Sequence, residues 1–166
     1  ITGGKGTRDV HGSFGLHRSG GGILIEGTSG GKVEHCFIRD NHLDSDYPMW
    51  GGGIAAFQGG GESYDKSIII QNNVIRNNSL TSLIESESSG GGIKVGVGDS
   101  LKHGVVIIQN NVIDSNLVRS THWNGQAHGG GMNFGIIKPT SPGEFIIRNN
   151  IFAYNKVEGG GYVTGG

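Results

Sequence analysis

A two-part repeat is the feature that most constrains the fold of this chain. Runs of three glycines begin at Gly20, Gly51, Gly90, Gly129 and Gly159, and Ile23, Ile54, Ile93 and Met132 follow the first four runs. An apolar-x-x-Asn segment then ends at Asn41, Asn78, Asn116 and Asn155, which are 37, 38 and 39 residues apart. A period of roughly 20 to 50 residues is typical of solenoids, propellers and other repeat arrays.

The middle of each unit predicts short strands. The segments SIIIQNNVIRNN (67–78), VVIIQNNVIDSN (105–116) and EFIIRNNIFAYN (144–155) align without gaps, and GKVEHCFIRDN (31–41) aligns more weakly. Runs rich in β-branched residues and bounded by Asn and Gly are typical of strands, and no stretch has the apolar period of a helix. We count three strands per unit, at Ile54–Phe57, Ser67–Gln71 and Val74–Asn77 in one of them.

This pattern predicts an all-β solenoid, a parallel β-helix of about four coils with three strands each. A four-stranded propeller blade has a similar length, but its fourth strand would have to come from the polar segment of variable length before each glycine run. Glycine makes up 34 of 166 residues, about three times the average usage of about 7%. Because these glycines are periodic and alternate with Ile/Val runs, they favour a folded repeat over a disordered chain.

The glycines and asparagines have structural explanations. Glycine reaches positive φ at sharp turns and lets neighbouring coils approach, so the stacked runs form a stripe without side chains. That stripe has a second interpretation, as a flat floor that a ligand approaches. Asn72, Asn110 and Asn149 form one alignment column, and Asn73, Asn111 and Asn150 form the next. We expect one column to turn a corner and the amides to form a ladder between coils, and we assign Asn110 and Asn149 to this ladder.

The paired signature resembles the GGA(I/L/V) and FxxN repeats of the polymorphic membrane protein family, which are autotransporter adhesins with right-handed β-helical passengers. The segment from Phe152 to Asn155 matches FxxN literally, the other units have Ile for Phe, and each glycine run has a third Gly where that family has Ala. The resemblance implies a single-stranded parallel β-helix and an adhesive role outside the cell. Secreted polysaccharide lyases and pectinase-like hydrolases share this fold, so fold does not decide the function.

We interpret residues 1–166 as one β-helix domain and an internal part of a longer chain, with units at about 1–19, 20–50, 51–89, 90–128, 129–158 and 159–166. Neither end carries a polar cap, so we expect end-to-end self-association, and a self-stacking filament subunit is one alternative function. An extracellular or bacterial cell-surface location is typical of this architecture. A net charge of −1 with no basic run argues against nucleic acid, and no apolar stretch is long enough for a membrane span.

The segments before the glycine runs, His42–Trp50, Ser79–Ser89 and Leu117–His128, are predicted to be loops on one edge of the solenoid. Aromatic, acidic and basic side chains on these loops are typical of a cleft that binds a polysaccharide or cell-surface glycan. The candidate ligand-binding residues are Tyr47, Trp50, Trp123, Asp44, Asp46, Glu85 and Arg119. Trp50 and His128 hold matching positions before a glycine run, so both should lie beside the stripe.

Catalysis is the alternative hypothesis, as a polysaccharide lyase or a glycoside hydrolase with its site on the same edge. The candidate catalytic residues are Asp46, Glu85, His122 and His128, because a glycosidase needs two carboxyl groups about 5 to 10 Å apart. Asp44 and Asp46 are weak candidates for Ca²⁺ ligands, and His122 with His128 for a metal pair, since one DxD or two histidines in a loop are unspecific. No other cofactor is predicted.

Overall fold

The protein is an all-β solenoid. The computed structural model describes residues 1–4, 7–9, 17–26, 30–58, 67–97, 105–136, 144–159 and 161–165, and all regular elements in these ranges are strands. Residues 5–6 and 10–16, which belong to the first predicted unit, lie outside the described residues. Among the described residues, no helix is long and apolar enough to cross a membrane.

The described strands fall into four coils of five strands, preceded by β1 (Thr7–Asp9) and β2 (His17–Ser19). The first coil contains β3 (Ile23–Glu26), β4 (Gly31–Glu34), β5 (Phe37–Arg39), β6 (His42–Ser45) and β7 (Met49–Trp50). The second contains β8 (Ile54–Gln58), β9 (Ile68–Gln71), β10 (Val74–Arg76), β11 (Ser79–Ser82) and β12 (Glu87–Ser89). The third contains β13 (Ile93–Val97), β14 (Val105–Gln109), β15 (Val112–Asp114), β16 (Leu117–Ser120) and β17 (Gln126–His128). The fourth contains β18 (Met132–Ile136), β19 (Glu144–Arg148), β20 (Ile151–Ala153), β21 (Lys156–Glu158) and β22 (Val163–Thr164).

Each strand of a coil pairs with its counterpart in the next coil, which produces five sheets along the solenoid. We number them in chain order: sheet I is β3-β8-β13-β18, sheet II β4-β9-β14-β19, sheet III β5-β10-β15-β20, sheet IV β6-β11-β16-β21 and sheet V β1-β2-β7-β12-β17-β22. The pairs are parallel except β1 with β2. In a propeller blade the strands of one unit would pair with each other. Here they pair between units, which confirms the parallel β-helix.

The strand count per coil differs from the prediction of three. The two additional strands, represented by β11 and β12 in the second coil, lie in the segment that was predicted to be a loop. Their inward positions hold few apolar residues. In β11 the inward residues are Leu80 and Ser82, and in β12 the inward residue is Ser88. The apolar alternation that reveals a strand is therefore weak, although the backbone pairs with both neighbouring coils.

The two adjacent asparagine columns have separate roles. His35, Asn72, Asn110 and Asn149 have φ between 54° and 56°, and they turn the corner between sheets II and III. The next column holds the ladder: Asn73 Nδ2 donates to Asn111 Oδ1 at 3.0 Å, and Asn111 Nδ2 donates to Asn150 Oδ1 at 2.9 Å. The assignment of Asn110 and Asn149 to the ladder was therefore wrong by one residue, because their left-handed backbone turns their side chains to solvent.

A second corner and ladder accompany the apolar-x-x-Asn segment. Asp40, Asn77, Ser115 and Tyr154 have φ between 53° and 55° and turn the chain between sheets III and IV. The asparagine that follows each corner is a ladder residue. Asn41, Asn78 and Asn116 donate through Nδ2 to the Oδ1 of the next asparagine, at 2.9, 2.9 and 3.0 Å. This ladder explains why the closing asparagine recurs in every unit.

The glycine runs are required by close backbone contacts. The first residue of a run has positive φ, for example 67° at Gly51 and 74° at Gly90. At the third residue, a Cβ on Gly92 would lie 2.5 Å from the carbonyl oxygen of Gly131. The same Cβ would lie 3.0 Å from both Asn116 Nδ2 and Ile113 Cγ2. The third glycine thus faces the apolar-x-x-Asn segment across the coil, which is why the two signatures occur together.

This contact narrows the interior and divides the core. The larger cluster lies among sheets I, II and III and includes Ile54, Ile70 and Ile75. The smaller lies between sheets IV and V and includes Leu80 and Met49. The glycines of the second and third runs are buried, so the interpretation of the stripe as an open ligand floor was wrong.

Gly159, which begins the last glycine run, does not continue the stacked stripe. Gly129 N–H donates to Thr164 O and Gly130 N–H to Gly165 O, both at 2.9 Å, and Gly165 has the positive φ of 69° that begins each run. Gly159 follows β21 instead, near Ser120 of the coil before. Gly165, six residues after Gly159, therefore holds the stacked position that the sequence predicts for the start of the fifth run.

Candidate functional site

Sheets V and I face each other across the glycine runs and form a concave surface, which we call the concave corner. Ile93 and Val95 belong to the core, so Lys94 between them points outward from sheet I. Ser88 is fully buried on the inner side of sheet V, so Glu87 points outward. Lys94 Nζ nevertheless lies 4.0 Å from Glu87 Oε1. The rings of Trp50 and Phe57 bridge the same two sheets one coil earlier, with centroids 5.3 Å apart.

A groove with a volume of about 580 Å³ runs beside this corner, where three coils turn from sheet IV into sheet V; we call it the edge groove. It is lined by Asp46, Tyr47, Pro48, Ile84, Glu85, Ser86, Glu87, Asn124 and Gln126. Glu87 belongs to both surfaces, since its side chain lines the groove and also faces Lys94 in the corner. The groove therefore offers carboxylates, amides and one phenol to a ligand.

Three of the predicted site residues meet in the edge groove. Asp46 and Tyr47 come from the first coil, and Glu85 comes from the second. Asn124 Nδ2 of the third coil donates to Glu85 Oε1, which holds this carboxylate on the groove wall. The structure thus brings Asp46 and Glu85 to one groove, as the prediction of a shared loop edge requires.

Four other predicted residues lie elsewhere on this edge. Trp50 and His128 occupy one register column with Ser89 between them, directly before the glycine runs, so their predicted matching positions are confirmed. His128 Nδ1 lies 2.7 Å from Thr164 Oγ1. Trp123 lies at a turn outside the groove lining and is 75% exposed, with its ring 5.8 Å from the ring of His122.

Asp44 and Arg119 lie on the outer face of sheet IV, in one register column with Thr81 between them. Asp44 Oδ2 accepts a hydrogen bond from His42 Nε2 at 2.9 Å. Arg119 forms an ion pair with Glu158, with Nη2 and Oε2 2.6 Å apart. Apart from the groove, Asp44 thus takes part in a surface hydrogen bond and Arg119 in a surface ion pair.

His42 also contacts the hydroxyl of Ser79, which gives a Ser–His–Asp chain with Asp44 on this face. Such a chain activates a serine only when hydrogen-bond donors also stabilise the oxyanion that its attack creates. The backbone N–H of Ser79 donates to Asn41 O at 2.9 Å, as the sheet pairing requires. The side chains of His42 and Asp44 are about half exposed, with 55% and 50% of their surface open to water. We therefore assign these three side chains to the surface polar network of sheet IV.

Within the described ranges, no three His, Cys, Asp or Glu side chains are placed to hold a metal ion together. Asp44 contacts His42 and Asp46 lines the groove, while His122 and His128 lie at a turn and in β17. The Ca²⁺ site and the histidine pair remain predictions from the sequence.

Lys94 is the residue that sequence reasoning missed. It is 9% exposed, and its Nζ donates to Asn133 Oδ1 at 2.5 Å. Burial lowers the pKa of Lys94 below the ordinary lysine value, and the nearby Glu87 carboxylate opposes this shift only in part. One signal was available, since the register column reads Leu24, Ala55, Lys94 and Asn133, and a charge in the second position after a glycine run is unusual there.

Comparison with families of known proteins, with curated protein sequences and with solved structures finds no match to this chain. The case for a function therefore depends on the groove and the concave corner.

Proposed function

We propose that this protein is an extracellular β-helical scaffold that binds a polysaccharide or cell-surface glycan in the edge groove. The observation that carries the proposal is the joining of Asp46, Tyr47 and Glu85 from two coils in one groove, with the amides of Asn124 and Gln126 from a third. Carboxylates accept hydrogen bonds from sugar hydroxyls, amides both donate and accept them, and an aromatic ring packs on sugar C–H groups. A groove shared by successive coils suits an extended chain ligand.

The test compares Tyr47→Ala with Tyr154→Ala, because Tyr154 is 87% exposed at the corner between sheets III and IV and lies outside the groove. A glycan array identifies a ligand, and calorimetry then gives its affinity for each variant. Loss of Tyr47 should weaken binding by about 1 to 3 kcal/mol, the scale of buried interface aromatics. Loss of Tyr154 should leave the binding affinity unchanged. Equal affinity of all three proteins would place the ligand on another face.

Trp50 and Trp123 were predicted to extend the stacking surface, and their positions give this hypothesis separate tests. Trp123 is mostly exposed, so Trp123→Ala should leave the melting temperature unchanged and would weaken binding only if a ligand extends beyond the groove lining. Trp50 packs on Phe57, so Trp50→Ala should lower the melting temperature as well. A drop in melting temperature without a change of affinity would show that a ring has a packing role alone.

A carbohydrate-active enzyme, either a polysaccharide lyase or a glycoside hydrolase, is the second candidate. It is favoured by the convergence of Asp46, Glu85 and Glu87 on one groove, with Lys94 beside Glu87. An enzyme would release unsaturated uronate products that absorb near 235 nm or new reducing ends, whereas an adhesin would bind without turnover. Glu85→Gln should abolish turnover in the first case and only weaken binding in the second.

A further inference from the structure

Lys94 is a charged residue at a buried position on the outward face of sheet I. Ala55 occupies the same position one coil earlier and is fully buried, and Leu24 occupies it in the first coil. The fold therefore accepts an apolar side chain at this position. Burying an ammonium group costs free energy that an apolar residue in its place would not. The repeat therefore does not require a lysine at this position.

The surroundings of the Lys94 amine are built from two strands. Asn133 of β18 accepts a hydrogen bond from Nζ at 2.5 Å, and Glu87 of β12 faces Nζ at 4.0 Å. Ser89 Oγ donates to Glu87 Oε1 at 3.2 Å and so helps to orient the carboxylate. A Cβ on Gly135 would lie 3.6 Å from Nζ, so the glycine leaves space open beside the amine.

The separation of Lys94 and Glu87 is informative. A tight ion pair brings nitrogen and oxygen to about 2.7 to 2.9 Å, so a distance of 4.0 Å leaves the two groups close without a direct hydrogen bond. Burial also lowers the pKa of Lys94, which increases the share of the neutral amine. Desolvated lysines of this kind serve as nucleophiles toward carbonyl carbons or as general bases.

We propose that Lys94 is a carbonyl-capturing amine, and that Glu87 transfers the protons, for an aldehyde such as the open-chain reducing end of a sugar. Nζ adds to the carbonyl carbon, a C–N bond forms, and the C=O π electrons move to oxygen. The Glu87 carboxylate carries a first proton from the added nitrogen to the alkoxide, which gives a carbinolamine. It then carries the second nitrogen proton to the hydroxyl, which leaves as water while the C=N bond forms. Amine and aldehyde thus give imine and water, without an oxidant or reductant.

Glu87 lines the edge groove and 43% of its side-chain surface is exposed, so we expect a small aldehyde to approach the amine from the side of that groove. The inference shares this residue with the proposed glycan site but does not depend on glycan affinity. Loss of binding in Tyr47→Ala tests the groove, and covalent capture at Lys94 tests the amine. One result can fail without the other.

The experiment uses glycolaldehyde as a small probe and cyanoborohydride, added as a reagent, to trap the imine at neutral pH. Peptide mass spectrometry then measures the labelling rate of each lysine in the native protein and in urea. We expect Lys94 to be labelled faster in the native protein than in urea, and faster than Lys32 and Lys156, whose side chains are 50% and 67% exposed. Labelling of Lys94 only in urea would overturn the proposal.

The Glu87→Gln variant separates proton transfer from simple electrostatics. Removing the carboxylate removes the charge that favours the ammonium form, so electrostatics alone predicts faster capture at Lys94. The proposal predicts capture that is several-fold slower, because the protons lose their carrier, with Lys32 and Lys156 unchanged. Faster capture would overturn the role of Glu87. Ser89→Ala provides a second variant if Glu87→Gln fails to fold: it removes the hydrogen bond that helps to orient the Glu87 carboxylate, so capture at Lys94 should slow, and an unchanged rate would overturn the role of Glu87.

Discussion

The inside and the outside of the same coil differ in how closely they repeat. Inside, Ile38, Ile75, Ile113 and Phe152 stack in one column, and four asparagines stack in the column that closes the same segment. Outside, the column before the glycine runs changes from Trp50 to Ser89 to His128. The column after them changes from Leu24 to Ala55 to Lys94 to Asn133.

Stacking explains this difference. An inner residue contacts its own counterpart one coil away, so an amide needs an amide above and below it to satisfy its hydrogen bonds. An outer residue contacts solvent or the opposite wall of the corner, and its identity can change without cost to the neighbouring coils. The repeated residues therefore identify the scaffold, and the residues that break the repeat on the outer face mark where we propose that a ligand binds.

The largest effect should come from Gly92→Ala. Its Cβ would lie 2.5 Å from a carbonyl oxygen of the next coil, a contact that only a backbone shift relieves. We expect a loss of about 3 kcal/mol or more, at the upper end for overpacked cores, measured by urea unfolding. The matched control is Gly135→Ala, whose Cβ would have no neighbour closer than 3.6 Å. Similar losses in both variants would mean that crowding is not what distinguishes the inner glycines.

Asn116→Ala should have the second-largest effect, a loss of about 3 kcal/mol in the free energy of unfolding. The substitution removes the bonds that Asn116 Oδ1 accepts from the backbone N–H and Nδ2 of Asn78, and those that Asn116 Nδ2 donates to Ile75 O and Asn155 Oδ1. A buried group left unsatisfied costs about 1 to 3 kcal/mol. Asn110→Ala should cost only about 1 kcal/mol, for a left-handed backbone without Asn or Gly. Asn110→Gly should be close to neutral. An equal cost for Asn110→Ala and Asn116→Ala would contradict the separation of corner and ladder columns.

Lys94→Met tests the outer face. The folded pKa of Lys94 lies below the ordinary lysine value of 10.5, so between these two values the unfolded chain binds more protons and wild-type stability rises with pH. Lys94→Met lacks this dependence. It should be more stable than wild type by roughly 1 kcal/mol at neutral pH, and the gap should narrow toward pH 10.5. Thermal melts at several pH values check this, and a variant less stable at neutral pH would show that the ammonium stabilises the fold.

The smallest effect concerns Glu158 on sheet IV. Hydrogen bonds from Lys156 and then Arg119 lower the pKa of Glu158 below 4.5, so its contribution to stability is present above that pH and is lost as pH falls through the folded pKa. Glu158→Gln should therefore melt slightly below wild type at pH 7, and the difference should shrink as the pH falls below 4.5. The effect should be the smallest here because exposed ion pairs are screened by water. A difference that does not shrink in acid would point to packing of this side chain.

Much of the scaffold was predictable from the sequence because its signals are local or periodic. The spacing of the closing asparagines gave the coil length, and the Ile/Val runs gave the strands of sheets I, II and III. The strands of sheets IV and V were missed because serines occupy several of their inward positions, where a strand pattern normally has apolar residues. The assignment of the ladder failed by one residue because Asn tolerates a left-handed corner and also bonds its own kind, so composition does not separate the two columns.

The candidate site also has a part that the sequence predicted and a part that it did not. The positions of Trp50 and His128 before a glycine run follow from the period, and so does the common edge of Asp46 and Glu85. The 4.0 Å approach of Lys94 to Glu87 depends on the angle at which the chain turns through three glycines. The burial of Lys94 depends on how the outer face of sheet I packs in the concave corner. By itself the sequence determined the repeat, because stacking makes each inner residue contact its own copy. Only the tertiary structure decided which outer residues meet, because that depends on turns that no local pattern encodes.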